Sequence, residues 1–185
     1  MRVIAGTARR LLLKTPTGLD TRPTTDKIKE TLFNMLMPYL SGALFVDLFS
    51  GSGGIGIEAL SRGARKAYFV ENNQKAIACI TDNIEHTHFT DKSVVLKQDV
   101  FSALRGSIKD TADIIFLDPP YQQEYDKKVL EFLQDASYVN EDTLIIVEAS
   151  NETSFDYVDA LGFYVEKEKQ YKTNKHVFIK KCEKN

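Results

Sequence analysis

The sequence predicts an α/β fold, an open and mostly parallel sheet with helices on its faces. Three observations lead there. The apolar run 43–46 ends in Asp47 and a glycine-dense turn, Gly51-Ser52-Gly53-Gly54-Ile55-Gly56, after which Ile57-Glu58-Ala59-Leu60 begins a helical pattern, so a strand, a tight loop and a helix start follow one another. Further apolar runs at 66–71, 93–97, 113–117 and 143–148 alternate with stretches of helical periodicity or turn residues, the rhythm of parallel strands joined by crossovers. The last two extended runs, 163–172 and 176–181, are separated only by Thr173-Asn174-Lys175, too short a link for anything but an antiparallel hairpin.

Residues 2–15 carry Val3-Ile4 and Leu11-Leu12-Leu13 around a break at Gly6, with Arg9-Arg10 between them. Two short strands in a hairpin or extended arm are expected, and with the apolar residues turned inward the arginines face outward. Thr24, Thr25 and Asp26 each suit a helix N-cap, and Ile28, Leu32, Met35, Leu36 and Tyr39 recur as one stripe, predicting a helix that runs to about residue 40. Arg22 and Thr24 then sit at a helix N-terminus, able to meet a phosphate or carboxylate. After the glycine turn a helix from Ile57 to about Arg62 stops at Gly63, a natural C′ residue. The strand 66–71 ends in Glu71, and a helix over 72–85 follows with Ala76, Ile77, Ile80 and Ile84 apolar. The strand 93–97 leads into Gln98-Asp99-Val100-Phe101, and the fully apolar strand 113–117 delivers Asp118-Pro119-Pro120-Tyr121. A helix from Lys127, the strand 143–148, a short helix over 155–161 stopped by Gly162 and the closing hairpin complete the chain.

At 185 residues and 43% hydrophobic, the chain suits a single domain over 1–185. It divides into a basic arm (1–20), a covering helix (21–40) and a core (43–185). Met1-Arg2-Val3-Ile4 lacks the apolar segment of a signal peptide, and no 18-residue apolar run occurs, so a soluble cytoplasmic protein is expected. Cys79 and Cys182 are too few for a disulfide framework and have no metal-ligand spacing with His86, His88 and His176, so no metal site is expected. Cys79 is read as a buried small side chain and Cys182 as a surface thiol; the histidines form no constellation and are read as satisfied or exposed. Net charge is −2, yet residues 1–30 hold seven basic and three acidic side chains, leaving seventeen basic against twenty-three acidic in the rest. A basic arm on an acidic body suits a protein that grips phosphates at one end and a cation at the other.

The glycine turn also satisfies the G-x-G-x-x-G pattern of dinucleotide sites. Asp47 at the mouth of the strand argues otherwise, because a carboxylate there repels a pyrophosphate but can receive the ammonium of an amino-acid-like ligand. Glu71, twenty positions after Gly51, stands where nucleotide-binding folds place the carboxylate that accepts the ribose hydroxyls. The Asp-Pro-Pro-Tyr segment lies at the carboxyl end of a strand, where open parallel sheets bind ligands; its prolines fix the backbone and remove donors.

Asp47-Leu48-Phe49-Ser50-Gly51-Ser52-Gly53 resembles motif I of the class I S-adenosylmethionine (SAM) methyltransferases. Asp118-Pro119-Pro120-Tyr121 resembles the (D/N)PP(Y/F) signature of those that methylate exocyclic amino nitrogens. Arg2-Val3-Ile4-Ala5-Gly6-Thr7-Ala8-Arg9-Arg10, Arg22-Pro23-Thr24 and Lys29-Glu30-Thr31-Leu32-Phe33-Asn34 are similar more narrowly to the bacterial 16S rRNA guanine-N2 methyltransferases of the RsmD type, and this likeness spans essentially the whole chain. It implies a Rossmann-like, seven-stranded, mostly parallel sheet with a C-terminal antiparallel hairpin and an N-terminal β arm. It implies SAM held by Asp47, Phe49, Gly51, Ser52, Gly53, Glu71, Asn72, Asp99 and Val100, with Asp99 on the adenine amino group and Val100 beside the ring. It implies catalysis by Asp118, Pro119, Pro120 and Tyr121, and 16S rRNA held by Arg2, Arg9, Arg10, Arg22 and Thr24, within the small subunit or an assembly intermediate.

An amino nitrogen on a base is a poor nucleophile because its lone pair is delocalised. Accepting its hydrogens at the Asp118 carboxylate and the Pro119 carbonyl localises that pair, and Tyr121 offers a face to a flipped-out base. The same signature serves adenine-N6 methyltransferases, the alternative reading, but the core and arm leave no room for a domain that reads duplex sequence. A SAM- or NAD-binding module without catalysis is the third, disfavoured by the intact Asp-Pro-Pro-Tyr. The signature specifies an amino group, not its base; guanine rests on the resemblance.

Overall fold

The computed structural model describes residues 1–16, 25–120 and 124–183. Seven strands, β1 (Leu44–Asp47), β2 (Lys66–Glu71), β3 (Ser93–Lys97), β4 (Ile114–Leu117), β5 (Leu144–Ser150), β6 (Phe163–Gln170) and β7 (Asn174–Lys181), form one sheet in the order β3-β2-β1-β4-β5-β7-β6. The first five are parallel; β7 runs antiparallel between β5 and β6. From β1 the chain moves outward to β2 and β3, then returns to the other side of β1 as β4. That reversal opens a crevice at the carboxyl ends of β1 and β4, where such sheets place ligands.

Side chains alternate across each strand. Leu44 and Val46 join Ile115 and Val147 in a core with α4 (Val100–Gly106) and α5 (Tyr125–Leu133). Phe45 joins Phe69, Phe116 and Phe178 in an opposite core with α1 (Asp26–Leu40), α2 (Gly54–Ser61) and α3 (Gln74–His86). Every residue of β1 and β4 is buried, as expected of strands covered on both faces. None of the described helices is long and apolar enough to cross a membrane.

Several elements differ from expectation. The arm is a hairpin too short for regular strands: an antiparallel bridge, Arg2 to Leu12, closes it, Val3 N–H donating to the Leu11 carbonyl and Leu13 N–H to that of Met1, with Val3, Ala8 and Leu13 buried. Its hydrogen bonds go mainly to helices. Ile4 and Ala5 donate backbone N–H to the Glu58 carboxylate (2.8 and 3.0 Å), Thr7 N–H and Ala8 N–H go to Ser61, and Lys14 N–H reaches Asn83 Oδ1 (2.7 Å). A Cβ on Gly6 would lie 1.8 Å from the Ser61 carbonyl oxygen, so only glycine permits that docking. Helix α1 is capped by Thr25, but its buried face is Lys29, Leu32, Phe33, Leu36 and Leu40. Ile28 and Met35 are half-buried and Tyr39 is exposed, because burial of Lys29 against Glu58 rotates the inward face by one position.

Helix α2 starts three residues early, at Gly54, since the loop leads directly into it, and α4 adds a helix that was not expected. Residues 155–161 form turns ending in one short 3-10 turn (Asp159–Leu161) instead of an α-helix. The hairpin reverses at 171–173, so Asn174 and Lys175 belong to β7. Cys79 is half-buried rather than buried, and Cys182 is exposed.

Candidate active site

Two residues dominate the crevice because of where their strands end. Asp47 is the last residue of β1 and Asp118 follows the last of β4. Both line a cavity of about 380 Å³, together with the glycine turn, Glu71 and Pro120. Lys29 of α1, the helix expected to cover the core, completes its walls together with Met1, Thr15 and Pro16 of the arm, whose part the sequence did not reveal.

Asp47 is buried. Its Oδ2 accepts the Gly56 N–H (3.3 Å), while Oδ1 is buried without a hydrogen-bond partner among the described residues. Burial pushes the Asp47 carboxyl up to about 7, against the pull of Gly56 N–H, with Glu71 adding repulsion. An orphaned carboxylate oxygen beside a cavity costs free energy that a cationic donor would recover. Gly51, Ser52 and Gly54 line the cavity with backbone. Gly53 does not: it is the left-handed residue before α2, and its side-chain direction points into Ile80, Phe69 and Ile57. Gly56 serves packing as well, since a Cβ there would lie 2.4 Å from Phe69 Cε1.

Glu71 is held rigidly. Its Oε2 accepts Gly51 N–H (2.9 Å) and its Oε1 accepts Asn72 and Asn73 N–H (2.9 and 2.8 Å), leaving the second lone pair of Oε2 for a hydroxyl donor. It also lines a second cavity, of about 120 Å³, with Phe49, Asn72, Asp99 and Val100. Phe101 and Tyr125 stack at 5.9 Å there, and Phe49 meets Tyr125 edge-on at 5.7 Å, so one wall of the cavity is aromatic. Asp99 caps α4 by accepting Phe101 and Ser102 N–H (3.1 Å each), and the Ser102 hydroxyl reaches its other oxygen. These bonds, led by the hydroxyl, hold the Asp99 carboxyl below the usual carboxylate range. The two cavities meet at Glu71 and Phe49, giving one path from Asp118 past the glycine turn to Asp99.

Asp118 is half-buried and its pKa is raised well above the ordinary value, by burial first, then by Glu148 and Asp47. Pro119 lines not the main cavity but a third, of about 390 Å³, shared with Glu148. Glu148 and its partners were not expected. Glu148 Oε1 accepts Asn174 Nδ2–H (2.6 Å), Oε2 lies 3.1 Å from His176 Nε2, and the Tyr171 hydroxyl is 3.2 Å from His176 Nδ1. His176 is thus satisfied, as expected, but within a buried polar network. A signal was present: Glu148 follows the apolar run that opens β5, as Asp47 and Glu71 follow the apolar runs of β1 and β2.

Arg9 and Arg10 are exposed at the turn of the arm. Arg2 is half exposed and pairs with Asp26 (2.8 Å). Tyr121, Arg22 and Thr24 lie outside the described residues.

Comparison with known proteins accords with this geometry. Residues 1–180 match the family model described as "Conserved hypothetical protein 95". The chain is 42% identical over 154 residues to "Putative rRNA methyltransferase YlbH" of Bacillus subtilis, covering 82% of this chain and 84% of that one. It is 33% identical over 161 residues to "Ribosomal RNA small subunit methyltransferase D" of Escherichia coli K12, covering 86% and 80%. The solved structure of "Putative methyltransferase yhhF from Escherichia coli" superposes with a TM-score of 0.87 at 30% identity, covering 98% of each chain.

Proposed function

Because the chain belongs to the Conserved hypothetical protein 95 family, that of the RsmD-type methyltransferases, we propose that it methylates the exocyclic N2 of a guanine in 16S rRNA, using SAM. The observation that carries this is the pairing of Asp47 and Asp118 in one cavity, the first with a buried oxygen that has no donor among the described residues, the second beside a proline pair.

SAM supplies a methyl group on a cationic sulfur. Asp47 Oδ1 suits its ammonium group, the Glu71 carboxylate its ribose hydroxyls, and the second cavity at Asp99 and Val100 its adenine; Phe49, Ser52 and Asn72 line the same path. The arm and Lys29 exclude water from the methyl-bearing end. Asp118 and the Pro119 carbonyl accept the hydrogens of the target amine and hold it for in-line attack, so that positioning supplies most of the rate. Pro120 borders the site, and Tyr121 is assigned the stacking of the base. Arg2, Arg9 and Arg10, with Arg22 and Thr24, contact RNA phosphates, which requires salt-sensitive affinity.

The test is transfer from labelled SAM to small ribosomal subunits lacking the modification, to protein-free rRNA and to duplex DNA, with nucleoside mass spectrometry of the product. N2-methylguanosine in rRNA or subunits is the expected result and identifies the form recognised. N6-methyladenine in DNA, or no transfer despite SAM binding, would overturn it.

A further inference from the structure

The third cavity opens where the target base must arrive. It is lined by Pro119 of the amine-holding segment, whose neighbours Asp118 and Pro120 line the main cavity. Its polar lining is acidic: Glu124, Asp126 and Glu148 against Lys127, with Thr153 and Ser154 opposite. Such a lining repels phosphate and favours a ligand edge rich in N–H donors. Register places Glu148 beside Asp118, because Leu117 pairs with Val147 and each chain then advances one residue, at the spacing of neighbouring strands, about 4.8 Å.

Glu148 is nearly buried and fixed from behind by Asn174 and His176. Each carboxylate oxygen accepts more than one hydrogen bond, so both retain capacity toward the cavity. Among bases with an exocyclic amine, guanine alone presents a ring N–H next to that amine on its Watson–Crick edge; adenine and cytosine present a ring acceptor there. A carboxylate facing that position accepts from the first and repels the others.

We infer that Glu148 selects guanine, accepting the ring N1–H while Asp118 and Pro119 hold the neighbouring N2 amine. Asn174 and His176 act as positioning residues that keep the carboxylate aimed. This inference rests on the proposed N2 methylation and supplies the base discrimination that Asp-Pro-Pro-Tyr lacks.

The experiment compares kcat/KM on small subunits reconstituted with guanosine or 2-aminopurine riboside at the methylated position. The analogue keeps the 2-amino group and replaces N1–H with an acceptor. Wild-type protein is expected to favour guanosine by at least the value of one charge-assisted hydrogen bond, about 10- to 150-fold. Glu148→Gln is expected to reduce that ratio about tenfold or more through loss on guanosine, with SAM affinity retained. Should that variant melt below the assay temperature, Glu148→Asp takes its place, with the same collapse expected. Equal wild-type rates on both substrates, or a variant that slows both alike with the ratio intact, would overturn the assignment. Absence of N2-methylguanosine from the wild-type guanosine reaction would instead count against the proposed activity.

Discussion

Glu58→Ala should unseat the arm. Four donors converge on this buried carboxylate: Lys29 Nζ at 3.1 Å, Arg62 Nε at 2.8 Å and the N–H groups of Ile4 and Ala5 at 2.8 and 3.0 Å. Lys29 and Glu58 are both fully buried, and burial pushes the Lys29 ammonium's pKa down against the pull of Glu58. Removing one partner of a buried pair strands the other charge, at about 3–5 kcal/mol. Lys29 can shed its proton and the arm's amides can rehydrate if the arm lifts, so the cost stays within that range. A chain of this size loses about 2–4 °C of Tm per kcal/mol, which predicts a fall of roughly 6–20 °C. Scanning calorimetry measures it, and hydrogen exchange at Ile4 and Ala5 should accelerate before global unfolding. Adding Lys29→Met should recover part of the loss, because the stranded charge is gone. A loss below about 1 kcal/mol, the worth of an exposed pair, would refute the reasoning.

Other predictions concern the site. Asp47 titrates near 7 in the native state against about 3.9 unfolded. Its ionisation therefore costs nothing below the unfolded value and the penalty grows until pH passes 7. Between pH 5 and 8 this removes about 2.5 kcal/mol of ligand-free stability; denaturant titrations of Asp47→Asn should lack that component. SAM affinity, read by calorimetry, should weaken up to tenfold per unit as pH falls below about 7, and a flat profile would contradict a carboxylate contact. Asp118→Ala should lower the single-turnover rate at least 100-fold while leaving SAM affinity nearly unchanged and raising Tm, since a carboxyl whose ionisation is disfavoured by desolvation and by Glu148 and Asp47 is lost; equal loss of binding would sink its role. Arg9→Ala with Arg10→Ala should reduce the slope of log affinity for rRNA against log salt by about 1.4–1.8, and an unchanged slope would remove the arm from the RNA interface.

Strands β1, β2, β4 and β5 were legible because each carries an apolar run that leads into an acid, and the glycine turn marked the first crossover. The same local signals placed Asp47, Glu71 and Asp118 at strand ends, and two β runs with a three-residue link could only form a hairpin. Where local signals were weak, tertiary contacts prevailed. Residues 155–161 had apolar residues without enough turns of helix to hold them, so Phe155 and Val158 bury themselves from turns. Helix α1 turned its face to bury Lys29, because a carboxylate from α2, distant in sequence, was there to receive it. The arm's docking likewise depends on Glu58, Ser61 and Asn83, whose helical pattern announces nothing about a partner. Strand ends, turns and capping residues express short-range sterics and hydrogen bonding, and these are written in consecutive residues. The meeting of Asp47 with Asp118 and the clamp of Asn174 and His176 on Glu148 come from strand order, and the closure of the cavity by Met1 and Pro16 from the docking of the arm on the helices. Long-range burial of polar groups selects that order, and no window of sequence contains it.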